Sequence, residues 1–258
     1  MFGTVTHGVH ERETKLPYAV ERVTGARHLL VTYPRLQIGT GAEPLVKAGK
    51  RLGSLHAHRL YVGADEHFFY GPGDERHGTR TAAHLIPRVA ARLGVPLENV
   101  ATVGTSVRGT LALHHGLLAN AGLVVAGAPA IRFGYWVKRL QGARNPPTDA
   151  AVETRRRLAD LTGAEDDEVR RRLNLIILRA ANRMRRPVTI DLYTSESDQL
   201  MRDSRWFAER LEDHAFVDVR LTVGDYASHV DIADPFHVFA RRRLRRWIAR
   251  DAQHAQAS

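Results

Sequence analysis

Ser106 lies in a stretch whose residue types predict a reactive serine. The segment Ala101–Leu113 passes from a short apolar run into a series of small residues that includes Gly104-Thr-Ser106. This pattern is typical of a sharp turn from a strand into a helix, which exposes a serine hydroxyl. Such a hydroxyl becomes a nucleophile when an imidazole accepts its proton. The stretch departs from the usual G-x-S-x-G pattern because Arg108 occupies the last glycine position and Gly109 follows it.

An acid and a histidine that suit this serine occur later in the chain. Asp198 follows the predicted strand Pro187–Tyr193, and His229 follows the predicted strand Val217–Val223. Ligands of open α/β sheets bind beyond the carboxyl ends of the strands, so we expect these loops to meet there. The imidazole would take the serine proton, and the carboxylate would orient the imidazole and stabilise its cation. Glu196, two residues before Asp198, is an alternative acid.

Short apolar runs alternate with helical stretches, which predicts a doubly wound, mostly parallel α/β sheet. Strands are predicted at His28–Tyr33, Leu60–Val62, Asn99–Val103, Leu123–Gly127, Pro187–Tyr193 and Val217–Val223. Helices are predicted at Thr79–Leu93, Thr110–Ala121, Ser204–Asp213 and, rich in arginine, over residues 240–250. We expect an α/β core over residues 1–133 and 187–250, a helical cap insertion over 134–186, and a disordered tail over 251–258.

Composition narrows the classes of function. The chain has no cysteine, which excludes disulfides, thiol nucleophiles and cysteine-ligated zinc. Its net charge of +10 is nearly all arginine and is scattered, and no recognised nucleic-acid module accompanies it, so nucleic acid is not expected as a partner. No apolar run approaches the roughly 20 residues that span a bilayer, so we expect no transmembrane segment. The start lacks a secretory pattern, which predicts a cytoplasmic location.

The order serine, acid, histidine is that of α/β hydrolases, and one branch of that superfamily is similar in sequence. The segment Gly104–Leu117 resembles the G-S-S-K-G-G-T-A-A-L-Y-Y-G-L segment of the branch that includes accessory-Sec secretion proteins and proteins of capsular polysaccharide synthesis. Val125–Ala130 is similar to its following "aGaPq" strand, and Leu60–Gly73 to its acidic loop followed by tyrosine and glycine.

This resemblance implies the α/β-hydrolase fold and serine chemistry on an acyl ester, without a metal or an organic cofactor. The substrate would be a small acyl ester, a glycan or a carrier-bound ester, and the positive charge suits an anionic one. Hydrolysis is the first interpretation. Transfer of the acyl group in polysaccharide or natural-product biosynthesis is an alternative, and so is a non-catalytic partner protein with a hydrolase-like fold. Self-association into a homo-oligomer stays open.

Backbone N–H groups are expected to form the oxyanion hole. The residue after the nucleophile, Val107, would supply one of them. The second would come from the loop Tyr33–Gln37, in which Pro34 has no N–H and Arg35 or Leu36 is the better candidate. Two interpretations of Arg108 stay open, because it either is tolerated in the turn or directs its guanidinium group to an anionic substrate.

The remaining histidines do not predict a metal site. His56–His67 contains three histidines and acidic residues of the types that bind zinc, but such residues often lie at a strand edge without metal. His114 and His115 stand where the similar branch has tyrosines, and we expect them to serve helix packing and the helix surface.

Overall fold

The computed structural model describes residues 4–11, 15–34, 52, 55–63, 77–136 and 167–254. Within these residues the strands are β1 (Thr4–Glu11), β2 (Lys15–Arg22), β3 (Leu29–Thr32), β4 (His58–Val62), β5 (Val100–Thr105), β6 (Leu123–Gly127), β7 (Val188–Thr194) and β8 (Val217–Val223). The longer helices are α1 (His77–Leu93), α2 (Ser106–Leu118), α3 (Asp167–Asn182), α4 (Met201–Arg210) and α5 (Ala233–His254).

The strands form one eight-stranded sheet with the order β1-β2-β4-β3-β5-β6-β7-β8. All pairs from β4 to β8 in that order are parallel. The strands in the middle of the sheet are buried along their whole length, as expected for parallel strands that helices cover on both faces. The predicted doubly wound, mostly parallel α/β fold is confirmed.

Contacts of β6 show that helices cover both faces of the sheet. A Cβ atom at Gly116 of α2 would lie 2.7 Å from the side chain of Val124. A Cβ atom at Gly127 would lie 2.6 Å from the ring of Phe236 in α5. Because Val124 and Gly127 are an odd number of residues apart, they point to opposite faces of the sheet. Helices α2 and α5 therefore pack on opposite faces.

Two strands at one edge of the sheet were not predicted. β1 and β2 form an antiparallel pair in which Thr4 lies opposite Arg22 and Glu11 lies opposite Lys15. They lack the continuous apolar run of the central strands, because an edge pair mixes Thr, His, Glu and Arg with its buried residues. β2 joins the sheet by antiparallel pairing with β4 and buries Leu16 in the core.

Helix boundaries differ from the sequence-based ones mainly at their starts. α2 begins at Ser106 itself and not at Thr110, because the turn passes directly into the helix. α5 begins at Ala233 and continues to His254, so residues 251–254 are helical and not part of a disordered tail, while 255–258 lie outside the described residues. In the described part of the chain, no helix has the length and apolar character needed to cross a membrane.

The predicted cap insertion over 134–186 is described only in part. Residues 137–166 lie outside the described residues. Its last helix, α3, buries Leu173, Ile177 and Ala181 and packs against α2. Ile177 and Ala181 share a core cluster with Leu113 of α2, so α3 belongs to the layer of helices on that face. The division into a core and a cap stays a prediction.

A buried ion pair joins β7 to α5. The carboxylate of Asp191, in the middle of β7, accepts hydrogen bonds from Arg243 Nε at 2.8 Å and from Nη2 at 2.7 Å. The Asp191 side chain is 3% exposed, and Arg243 is the counter-charge of this buried carboxylate. The pair therefore fixes α5 against the strand that precedes Asp198.

We expect Asp191→Ala to lower the free energy of unfolding by about 3 kcal/mol, because the half-buried Arg243 would lose its counter-charge. Asp218→Ala on β8 is the matched control, since Asp218 and its partner Arg220 are 52% and 44% exposed. This control should cost less than about 1 kcal/mol. Urea unfolding of both variants tests the difference, and equal losses would contradict it.

Candidate active site

The chain turns sharply at Ser106, where β5 ends and α2 begins. Ser106 has a φ of 54°, a left-handed conformation that L-residues other than Asn and Asp rarely adopt. Such strain persists only where the surrounding structure holds it, and it is typical of functional sites. The predicted strand-to-helix turn is therefore present, with the serine at its tip.

Glycines allow the turn to be this tight. A Cβ atom at Gly104 would lie 2.3 Å from the carbonyl oxygen of Arg108, so any side chain there would collide with the backbone of the first helical turn. A Cβ atom at Gly109 would lie 3.0 Å from the carbonyl oxygen of Gly127 in β6. Gly109, and not Arg108, makes the close approach to β6, and the Arg108 side chain is half-buried. A role of Arg108 in binding an anionic substrate stays a prediction.

Three side chains form a continuous chain of hydrogen bonds at the carboxyl edge of the sheet. Ser106 Oγ lies 2.8 Å from His229 Nε2. His229 Nδ1 lies 2.9 Å from Asp198 Oδ2 and 3.2 Å from Oδ1. Asp198 follows β7, and His229 opens a short 3₁₀ turn after β8. The structure thus brings Ser106 close to two residues, Asp198 and His229, that come much later in the chain.

Of the two candidate acids, Asp198 contacts His229. The side chain of Glu196 is 57% exposed and forms an ion pair with Arg205 of α4. The loop after β7 turns at Asp198, whose N–H donates to the carbonyl oxygen of Ser195. This turn directs Asp198 inward and leaves Glu196 at the surface.

Asp198 has other hydrogen-bond partners besides His229. Its Oδ1 accepts a hydrogen bond from the N–H of Leu200 at 2.8 Å, and its Oδ2 accepts one from the hydroxyl of Tyr226 at 2.9 Å. Burial by itself raises the pKa of the Asp198 carboxyl, but the hydrogen bonds from His229, Leu200 and Tyr226 stabilise the anion, so that its pKa lies below the ordinary value. The carboxylate is therefore ionised at neutral pH.

Tyr226 was not among the residues that sequence reasoning selected. It stands three residues before His229 in the loop after β8, and its ring is 6% exposed. A tyrosine in a loop gives no specific signal in a single sequence, so only the folded structure reveals its contact with Asp198.

Of the three residues predicted to supply oxyanion N–H groups, the structure describes Val107. Val107 follows Ser106 in the first turn of α2, where backbone N–H groups have no acceptor within the helix. Its N–H therefore has no acceptor within the helix itself. Arg35 and Leu36 lie outside the described residues, which reach Pro34 after β3.

His114 and His115 of α2 are both buried. The expectation that they serve helix packing agrees with this burial, and the expectation that they also lie at the helix surface was wrong. His114 is 2% and His115 0% exposed, because α2 lies between α1 and α3. Burial lowers the pKa of His114 to about 4 and that of His115 well below its ordinary value, so both are neutral at pH 7. His115 Nδ1 lies 3.2 Å from the hydroxyl of Tyr33. Within the described ranges no group of three or more potential ligands suits a metal ion.

A polar cavity of about 550 Å³ lies beside the acid loop. Arg132, from the loop after β6, forms one wall, and its guanidinium donates to the buried Asp203 at 2.9 Å and lies over the Trp206 ring. The remaining lining residues are Glu196, Asp198, Gln199, Met201, Arg202, Arg205, Trp206 and Glu209. This lining suits a polar or charged group more than an alkyl chain.

No family model and no curated protein sequence matches the chain. Solved structures do match it in fold. One chain of a glycosylation-associated protein complex from Streptococcus agalactiae superposes with a TM-score of 0.70 at 14% identity. The match covers 95% of this protein and 47% of the chain in the complex. An esterase from the archaeon Pyrobaculum calidifontis superposes with a TM-score of 0.61 at 16% identity, over 98% of this chain and 86% of that one. This chain has the α/β-hydrolase fold.

A capsule O-acetyltransferase of Neisseria meningitidis serogroup A has the same fold. It superposes with a TM-score of 0.57 at 14% identity, over 88% of both chains. The resemblance that the sequence indicated is thus confirmed at the level of the α/β-hydrolase fold. At these identities the comparison concerns the fold, and the chemistry has to be argued from the site itself.

The lowered pKa of Asp198 makes stability depend on pH in a defined direction. Its ionised form stabilises the fold above the pKa of the unfolded chain, and this contribution is lost as the pH falls through the folded-state pKa. We expect Asp198→Asn to lower the free energy of unfolding near neutral pH, and the difference from wild type to shrink below about pH 4. Urea unfolding over this pH range tests it, and a difference that grows toward acid would contradict it.

Proposed function

We propose that the protein is a serine hydrolase that cleaves an acyl ester through Ser106, His229 and Asp198. The observation that carries this proposal is the hydrogen-bond chain from Ser106 Oγ through both nitrogens of His229 to a buried carboxylate. A merely structural serine has no need of a strained φ and an imidazole at 2.8 Å. Esterases among the proteins of similar fold support this reaction class.

In the first half of the proposed reaction, Ser106 Oγ attacks the carbonyl carbon of the ester and its proton passes to His229 Nε2. The resulting oxyanion would accept a hydrogen bond from the N–H of Val107 at the start of α2, where the helix dipole also favours negative charge. Asp198 stabilises the imidazolium. The bond between carbonyl carbon and alcohol oxygen then breaks, and His229 returns the proton to the departing alcohol.

In the second half, a water molecule attacks the carbonyl carbon of the acyl-enzyme and gives its proton to His229. The bond to Ser106 Oγ breaks, and the serine recovers a proton from the imidazolium as the carboxylic acid leaves. Both halves use the same three side chains and need no electron transfer. Besides the ester and water, the proposed steps use these side chains and the N–H of Val107.

Acyl transfer is the second candidate, because the same acyl-enzyme can react with an alcohol or amine of an acceptor in place of water. The observation that favours it is the similar fold of a capsule O-acetyltransferase, which matches 88% of both chains. The polar cavity beside the acid loop and the net charge of +10 suit a polar or anionic acceptor, such as a glycan or a carrier-bound group.

We expect a fluorophosphonate probe to label the folded wild-type protein, because its phosphorus atom is attacked by an activated serine. Ser106→Ala should abolish labelling. Ser197→Ala is the matched control, since this exposed serine lies in the acid loop and its variant should be labelled like wild type. Mass spectrometry of the labelled peptide provides the measurement. Absence of labelling in folded wild-type protein would instead support a non-catalytic role.

We expect Asp198→Asn to slow labelling by about 10⁴-fold, because the amide leaves the imidazole without its counter-charge and favours the wrong tautomer. Glu196→Gln should label at the wild-type rate, since its carboxylate is exposed and paired with Arg205. The second-order rate constant for probe labelling distinguishes the two acids. A large loss in Glu196→Gln with little effect in Asp198→Asn would overturn the assignment.

A further inference from the structure

Asp198 receives a side-chain hydrogen bond from the same loop that carries His229. The hydroxyl of Tyr226 donates to Asp198 Oδ2 at 2.9 Å, and this oxygen is also the nearer one to His229 Nδ1. The other oxygen accepts the N–H of Leu200. Because the Asp198 side chain is fully buried, these donors set the plane of the carboxylate without help from solvent.

We propose that Tyr226 is a positioning residue that orients the carboxylate of Asp198 toward His229. The inference rests on the proposed function for its catalytic consequence, while the geometry it invokes exists independently of substrate. Without the tyrosine hydroxyl, the N–H of Leu200 would hold Oδ1, but Oδ2 would be held by the imidazole alone. The tyrosine hydroxyl adds a second donor to Oδ2 at the point where the imidazole binds.

Tyr226 is itself held in place by the acid loop. Its backbone carbonyl oxygen accepts a hydrogen bond from Ser195 Oγ at 2.8 Å, and its hydroxyl lies 3.4 Å from Thr194 Oγ1 at the end of β7. The acid loop therefore anchors the tyrosine, and the tyrosine anchors the acid. This reciprocal arrangement ties the loop after β7 to the loop after β8, so that Asp198 and His229 keep one relative geometry.

Close packing around the Tyr226 ring restricts the orientation of its hydroxyl. The ring is 6% exposed and its centroid lies 6.0 Å from that of Tyr193, which stacks at 4.8 Å on Phe239 of α5. A buried hydroxyl needs a hydrogen-bond partner, and here the ionised carboxylate provides a charged one. The burial of the ring therefore directs the hydroxyl to Asp198.

The variant Tyr226→Phe tests this role, because it keeps the ring and removes only the hydroxyl. We expect labelling by the fluorophosphonate probe to slow by about tenfold. In wild type we expect the bond to the carboxylate to shift the proton resonance of His229 Nδ1–H downfield. In Tyr226→Phe this resonance should move upfield or broaden, because the bond becomes less well ordered. Tyr193→Phe is the matched control and should change neither quantity, since no hydrogen bond among the described residues joins its hydroxyl to Asp198.

Two further variants separate positioning from a general effect on folding. Ser195→Ala removes the anchor on the Tyr226 carbonyl and should give a smaller change in the same direction in both measurements. In an Asp198→Asn background, Tyr226→Phe should cause less than about a twofold further loss, because its effect passes through Asp198. A full, additive loss in that background would overturn the proposal.

The outcomes distinguish this inference from the proposed function. If wild type is labelled and Tyr226→Phe matches it in rate and in the His229 resonance, the positioning role is wrong while the serine chemistry stands. If wild type is not labelled, the serine chemistry fails, and the resonance in wild type, Tyr226→Phe and Tyr193→Phe still decides whether Tyr226 orders the Asp198–His229 bond.

Discussion

The backbone contact between the first turn of α2 and the ends of β5 and β6 is the constraint on which the site depends. It holds Ser106 at a positive φ, and a side chain at position 104 would collide with this backbone while one at position 109 would crowd it. Thr110 adds to this contact, because its hydroxyl lies within hydrogen-bond distance of the carbonyl oxygens of Ser106 and Ala130. The serine therefore has its direction before any substrate binds.

The other two members of the site depend on how β7, β8 and α5 are assembled. The loop after β8 leads through His229 directly into α5, so the position of that helix limits where the imidazole can lie. Phe236 packs against Gly127 beside the serine turn, and Arg243 pairs with Asp191 on the strand that precedes the acid. One helix thus connects all three loops, and its packing is as important for the site as the loops themselves.

Much of this arrangement could be predicted from the chain. The serine and the acid each follow a central strand and the histidine follows the parallel edge strand β8, so their meeting at one edge of the sheet follows from parallel topology. The edge strands β1 and β2 could not be predicted in this way, because half of their residues are polar. His114 and His115 were expected to serve both helix packing and the surface, and their complete burial was missed because it depends on α2 lying between two other helices.

The amino-acid sequence by itself determined the fold class, the glycines of the serine turn and the order of three chemically suitable residues, because these depend on local pattern and spacing. Only the tertiary structure shows that Asp198, and not Glu196, contacts His229, since the turn directs one of these two residues inward and leaves the other at the surface. It also shows that Gly109 makes the close approach to β6 in the turn that contains Arg108, and that Tyr226 contacts the acid. These are properties of contacts between distant segments, and no local pattern encodes them.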